Sequence, residues 1–192
     1  EMADNFQSAT MSAAAGGNTT VLPFAMQEKG QSLRECVENY HKKAKDNLYI
    51  DTSFHLIISD PSPQVLGQEL PALARDGYTS FKVFMTYDDL VLNDEELLKV
   101  FEVAKKEKTL VMVHAEGYDA IRYLTKKLEE EGKVAPYFHG ISRPQIVERE
   151  ATHRAISHAQ IVDIPIVIVH VSGNEALSQI KWAKERGIRV FS

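Results

Sequence analysis

Ile164-Pro165-Ile166-Val167-Ile168-Val169-His170-Val171 is the stretch on which the fold turns. Apolar, mostly β-branched residues fill successive positions, as in a short strand covered on both faces. Similar runs occupy residues 19–24, 50–58, 80–87, 110–114 and 190–192. Their centres, near Val21, Ser53, Val83, Val113, Val169 and Val190, lie 32, 30, 30, 56 and 21 residues apart.

Segments of helical spacing lie between the runs. Residues 32–45 carry Leu33, Val37, Tyr40 and Ala44 on one face. Asn93 or Asp94 caps a helix through Lys106, with Glu95 and Glu96 in its first turn and Lys105 and Lys106 in its last, which complements the helix dipole. The 56-residue interval holds two helices, residues 119–131 and 144–160, joined by a loop at 136–143. A last helix spans residues 174–186, and Gly77, Gly132 and Gly187 each stop a helix before the next element.

Strands alternating with helices at about thirty residues predict repeated βα units on a parallel sheet. Two α/β architectures do this, an open doubly wound sheet and a (β/α)8 TIM-type barrel. No G-x-G-x-x-G or G-x-x-x-x-G-K-[ST] follows any run, which removes the nucleotide-binding signature of the first. A complete barrel takes roughly 200–250 residues and eight strands. Residues 1–192 are therefore expected to form a partial barrel domain lacking strand one and the last strands. The opening Glu1-Met2-Ala3-Asp4 and the close at Phe191-Ser192, directly after a strand, are read as internal points of a longer chain.

Composition narrows the function classes. The chain is 44% apolar and 26% charged with a net charge of −5, and it has no long basic run. An electrostatically driven nucleic-acid or anionic-membrane partner is excluded on that ground. The lone Cys36 excludes an internal disulfide framework and a four-cysteine zinc site. No apolar run approaches the ~18–20 residues of a membrane span, and no secretory signal is visible. A soluble, cytoplasmic protein is expected.

Three residues at strand C-terminal ends, where barrel active sites are built, could carry chemistry: Lys82, His114 and His170. A single histidine at such a place is ordinarily a hydrogen-bonded structural group. Two on converging parallel strands point to a metal. Lys82, flanked by Phe81, Val83, Phe84 and Met85, is costly to bury charged. It either snorkels to a carboxylate or has a depressed pKa, and then acts as a nucleophile toward a carbonyl or toward carbon dioxide. The carbamate so formed would be a carboxylate-like ligand beside two imidazoles.

Asp51-Thr52-Ser53-Phe54-His55, Ser80-Phe81-Lys82-Val83-Phe84-Met85-Thr86-Tyr87, Val113-His114-Ala115-Glu116, Ile141-Ser142-Arg143-Pro144, Glu148-Arg149-Glu150-Ala151 and Val169-His170-Val171-Ser172 occur together and in order. This set resembles the dihydropyrimidinase and hydantoinase family of cyclic amidohydrolases along essentially the whole chain. The resemblance implies two divalent metal ions, zinc by preference, bridged by a carboxylated Lys82. It implies that His114 and His170 hold the more exposed ion and that Tyr87 stabilises the oxyanion of the tetrahedral intermediate. The implied reaction opens a dihydropyrimidine or hydantoin to an N-carbamoyl amino acid through a metal-bound hydroxide. A small cyclic amide is then the substrate and a homotetramer the implied assembly.

The chain departs from the family pattern in three places. The family's His-x-His pair would precede Glu1, its catalytic aspartate would follow Ser192, and Gly117 stands where many relatives have asparagine. The 192 residues alone are expected to be inactive. Rival readings are an allantoinase or dihydroorotase and a non-catalytic scaffold like the collapsin response mediators. In those scaffolds the bridging lysine and late histidine are replaced, whereas Lys82 and His170 both stand here. A Schiff-base lyase would leave the histidines without a role. Structural roles are expected for His55, for Arg143 paired with Glu148 or Glu150, and for Trp182 against the sheet. His139, His153 and His158 are expected at the surface or in subunit contacts, and Cys36 is expected to be unreactive.

Overall fold

The computed structural model describes residues 4–192; the opening Glu1-Met2-Ala3 lies outside them. Two of the expected strands are each divided. The first run becomes β1 (Thr20–Val21) and β2 (Phe24–Met26), the second β3 (Asp51–Thr52) and β4 (His55–Ile57). Pro23 is the cause on the first run, since it has no N–H and fixes its own φ. The ladder still spans the break, because the Ser53 N–H donates to the Val21 carbonyl (3.2 Å) and the His55 N–H to that of Pro23 (3.0 Å).

β2 and β4 continue into a six-stranded sheet with β5 (Ser80–Phe84), β6 (Leu110–His114), β7 (Ile166–Ile168) and β8 (Val190–Phe191). Every neighbouring pair is parallel. Strand order follows chain order throughout, so the reversal that marks a doubly wound sheet is absent among the described residues.

The register corrects the expectation that both faces are covered. One cross-strand row runs through Ala25, Leu56, Phe81, Val111, Ile166 and Val190; the first five are 0% exposed and Val190 2%. The next row, on the opposite face, runs through Met26, Ile57, Lys82, Met112, Val167 and Phe191. There Met26 is 46% and Phe191 53% exposed, while Lys82 at the centre is 4% exposed. The helices thus pack on one face, and the other is apolar but open toward the sheet margins.

Before β1 lies α1 (Phe6–Ala15), whose Asn5 and Ser8 form a capping box. α2 (Leu33–Ala44) starts at Ser32 as expected. Its N-terminus is also gripped from outside, since the buried Glu69 carboxylate accepts from Leu33 N (2.6 Å) and Arg34 N (3.3 Å). Glu69 ends a π-helical turn, Val65–Glu69, that leads into α3 (Leu70–Arg75). α4 (Asp94–Glu107) opens with the Asn93–Glu96 capping box and buries Leu97, Val100, Phe101 and Ala104. α5 (Tyr118–Glu130) follows β6, and the segment read as a loop contains the short α6 (Tyr137–Ile141). α7 (Gln145–Val162) and α8 (Asn174–Lys184) pack together before β8.

Phe54, Phe81 and Phe101 are among the largest fully buried side chains of this helix-facing core. Each contributes about 1.5–3 kcal/mol by leaving water. Trp182 packs on His153 of α7, ring centres 5.3 Å apart, and against the core. His158 is buried, contrary to its expected surface position. Cys36 is buried too, and burial pushes its thiol up to about 11, in keeping with the expected inertness. No helix among the described residues is long and apolar enough to cross a membrane.

Candidate active site

Successive side chains of a strand alternate between faces, so Lys82 and Phe84 of β5 share the open face with Met112 and His114, their partners on β6. β7 is shorter than its sequence run. The Val169 N–H still bonds the Val113 carbonyl (3.2 Å), and His170 therefore leaves the sheet directly beside His114. The two imidazoles meet, with His114 Nδ1 2.9 Å from His170 Nε2.

Glu116 decides how His114 presents itself. Its Oε2 lies 2.7 Å from His114 Nε2, and an ionised carboxylate only accepts, so Nε2 carries the proton. The Nδ1 lone pair then faces His170. The His114 hydrogen bond, joined by the nearby Arg143 charge, holds the Glu116 carboxyl below its usual range. Arg143 Nε lies 3.7 Å from Glu116 Oε1, so the expected pairing of Arg143 with Glu148 or Glu150 gives way to one with Glu116. Glu150 instead pairs with Arg154, and Glu148 accepts from the backbone N–H groups of Ser172 and Gly173, 2.7 Å each.

Lys82 lies deeper. Its Nζ is 4.4 Å from the centre of the Phe84 ring and 5.7 Å from that of Phe24. Burial brings its pKa down to about 8, so about a tenth of the side chain is the free amine at pH 7. His170 also lies below the ordinary imidazole value, through burial first and then the adjacent His114 and Lys82 charges. Tyr87 stands over the cluster, its ring centre 5.1 Å from that of His114. Burial and the Glu116 charge raise its hydroxyl above the ordinary phenol value, which keeps it a hydrogen-bond donor.

Two of these residues hold strained backbone. Tyr87 has φ 73° and His170 φ 41°. Lys108 and Asp163 also have positive φ, but they are helix C-caps, where that geometry is ordinary. Tyr87 instead closes a turn in which its carbonyl accepts from Leu90 N (3.0 Å) and Val91 N (2.8 Å). Such positions cost about 1–3 kcal/mol each and persist only where the surroundings over-determine them.

A cleft of ≈ 280 Å³ opens over the cluster, lined by His114, Glu116, Arg143, Glu148, His170 and Gly173 among others. Among the described residues no group of three or more His, Cys, Asp or Glu could hold a metal ion. The side chains that turn donor atoms toward one point there are the two imidazoles, through His114 Nδ1 and His170 Nε2. The 2.9 Å between the facing nitrogens is close to the ~3.3 Å kept by two nitrogens on one tetrahedral zinc. Of the residues singled out by sequence, His114, His170 and Tyr87 come together, and Lys82 lies on the same sheet face. Glu116 was quoted only as part of a motif, and Glu148 only in a motif and as a partner for Arg143; Glu116, two residues beyond a strand-end histidine, was the readable hint.

No family model matches the chain. Comparison with individual proteins is more informative. The chain is 46% identical over 193 residues to a D-hydantoinase of Ralstonia pickettii, covering 100% of this chain and 42% of that protein. A solved D-hydantoinase structure superimposes with a TM-score of 0.94 at 46% identity, covering 97% of this chain and 41% of that one. A dihydropyrimidinase structure from Brevibacillus agri gives 0.93 at 40% identity, with the same 97% and 41% coverage. The chain spans about two fifths of the length of these proteins.

Proposed function

We propose that this chain, which is homologous over its full length to the D-hydantoinases and dihydropyrimidinases, supplies a metal-binding part of a hydrolase that opens cyclic amides. The observation that carries the reading is the meeting of His114 and His170 on the open sheet face that also holds the buried Lys82, whose pKa burial lowers to about 8. We read that sheet as an arc of a (β/α)8 barrel, supported by its unreversed strand order and by helices on one face.

His114 Nδ1 and His170 Nε2 are the groups that would hold one divalent ion, zinc by preference. Lys82 would bridge it to a second ion after carboxylation. In that step the free amine bonds the carbon of carbon dioxide and loses one proton to solvent, leaving a carbamate anion. When bound, the ions supply Lewis-acid polarisation of a carbonyl and a nucleophile at neutral pH. The chain's own residues do the rest. Glu116 fixes the His114 tautomer. Tyr87 keeps its hydroxyl proton and donates a hydrogen bond through it to the oxygen that becomes negative in the transition state. Phe24 and Phe84 keep water from Lys82.

The substrate class is a small cyclic ureide, a dihydropyrimidine or hydantoin, and the product an N-carbamoyl amino acid. The assembly is a homo-oligomer, a tetramer in our reading, supported by the apolar Tyr123, Val134, Tyr137 and Ile161 left exposed outside the sheet. A cytoplasmic location completes the proposal. Lys82 and His170 weigh against the scaffold alternative.

Elemental analysis of the full-length protein that contains this chain, grown with zinc and bicarbonate, tests the reading together with the intact mass of the Lys82 peptide. About two zinc ions per chain and the mass of one added carbon dioxide are expected, with turnover of dihydrouracil or hydantoin. A metal-free protein carrying an unmodified Lys82 sinks the hydrolase reading.

A further inference from the structure

The turn from β7 to α8 is held by a side chain that belongs to neither element. His170 has φ 41°, a conformation that is costly for an L residue, and within the turn the Ser172 hydroxyl donates to the His170 carbonyl at 2.9 Å. α8 begins at Gly173 without a side-chain cap of its own. α7 supplies what is missing. Glu148 Oε1 accepts the Ser172 N–H and Oε2 the Gly173 N–H, both at 2.7 Å. One turn earlier on the same helix, Gln145 Oε1 accepts the Glu175 N–H at 3.4 Å. The approach is close: a Cβ on Gly173 would stand 2.8 Å from Glu148 Oε2, so a side chain there would displace the carboxylate. Gly173 itself has an ordinary φ of −104°, so the effect is one of space.

We propose that Glu148 is a positioning residue for the metal site: its carboxylate clamps the Ser172–Gly173 backbone and thereby holds His170 in its strained conformation against His114. Two short charge-assisted bonds from consecutive N–H groups to one carboxylate oppose a rearrangement of the turn that would carry His170 back into an extended strand. The clamp rests on the reading of His170 as a metal ligand for its functional consequence, but its geometry stands without it. Glu148 touches neither imidazole by any hydrogen bond of the structure; it acts through the backbone.

Four forms of the full-length protein that contains this chain test this: wild type, Glu148→Gln, Gly173→Ala and Glu175→Gln. Glu148→Gln keeps one acceptor and turns an NH2 group toward the other N–H. Gly173→Ala leaves Glu148 in place and displaces its carboxylate. Glu175→Gln removes the Arg149 pair (2.9 Å) on the same α7–α8 contact and leaves the turn alone. Zinc affinity is read by chelator competition and the Co(II) spectrum, and Ser172 and Gly173 amide exchange is read in metal-free protein.

Glu148→Gln and Gly173→Ala are expected to lower metal affinity roughly 10- to 100-fold, alter the Co(II) spectrum and speed both amides at least about tenfold. Glu175→Gln is expected to stay within about twofold on both readouts. Equal affinity in wild type and Glu148→Gln, or a parallel loss in Glu175→Gln, overturns the clamp. If wild type binds no metal, the proposed function fails, and unchanged amide exchange in Glu148→Gln would then overturn the clamp separately.

Discussion

At the scale of single residues the site depends on which lone pair each imidazole presents. His114 is held between Glu116 and His170, so the carboxylate on Nε2 sets what Nδ1 can do. Glu116→Gln keeps the shape but can place an NH2 donor where Nε2–H also donates. Metal affinity is expected to fall about 10- to 100-fold by chelator competition, with little change in unfolding midpoint. Tyr87→Phe keeps the ring against His114 and removes only the hydroxyl. On the full enzyme kcat is expected to drop about 10²- to 10³-fold while KM moves little, in steady-state kinetics. Lys82, His114 and His170 were singled out in sequence because strand ends converge on one face, and Tyr87 through the family resemblance alone. Glu148 was not, since its role depends on which loop α7 passes, and a helix-start glutamate looks the same whether it meets solvent or two amides.

At the scale of elements, the helix signals that sequence reads best are those made within one helix. Asn93 and Glu96 satisfy each other's backbone N–H groups, at 2.9 and 2.8 Å. Asn93→Ala is expected to cost about 1 kcal/mol in urea unfolding, because nothing else reaches the Glu96 N–H. The caps given by Glu69 to α2 and by Glu148 to the turn before α8 come from other elements and were invisible for that reason. His158 on α7 is a similar case, read as surface but buried beside Asp94 of α4 and Arg154 of its own helix. Burial depresses its pKa below 6.5, with Asp94 opposing and Arg154 assisting. The folded form therefore binds fewer protons than the unfolded form as pH falls below 6.5, and stability declines there and recovers above it. The stability difference between wild type and His158→Gln is expected to vary with pH below about 6.5 and to flatten toward pH 8, by thermal unfolding.

At the scale of the whole molecule, the thirty-residue rhythm made the parallel βα order legible, but the asymmetry of the sheet was not. Phe81 facing helices and Phe84 facing the open side look alike in a list of apolar residues, and only the register separates them. That register has a consequence for the chain by itself. β2 pairs only with β4 and β8 only with β7 among the described residues, so each leaves one row of backbone donors and acceptors free. Beside those edges stand Phe24, Met26 and Phe191, 42%, 46% and 53% exposed. A parallel edge flanked by exposed apolar side chains is a template for further pairing. The 192-residue chain is therefore expected to self-associate as its concentration rises, seen as a shift to larger species in sedimentation velocity across a hundredfold dilution range. Met26→Lys with Phe191→Lys places a charge beside each edge and is expected to move the distribution back toward monomer without loss of helical signal. If the unmodified chain stays monomeric throughout, the edges are protected by the local structure alone, and the argument that this sheet requires closure by further strands loses its physical basis.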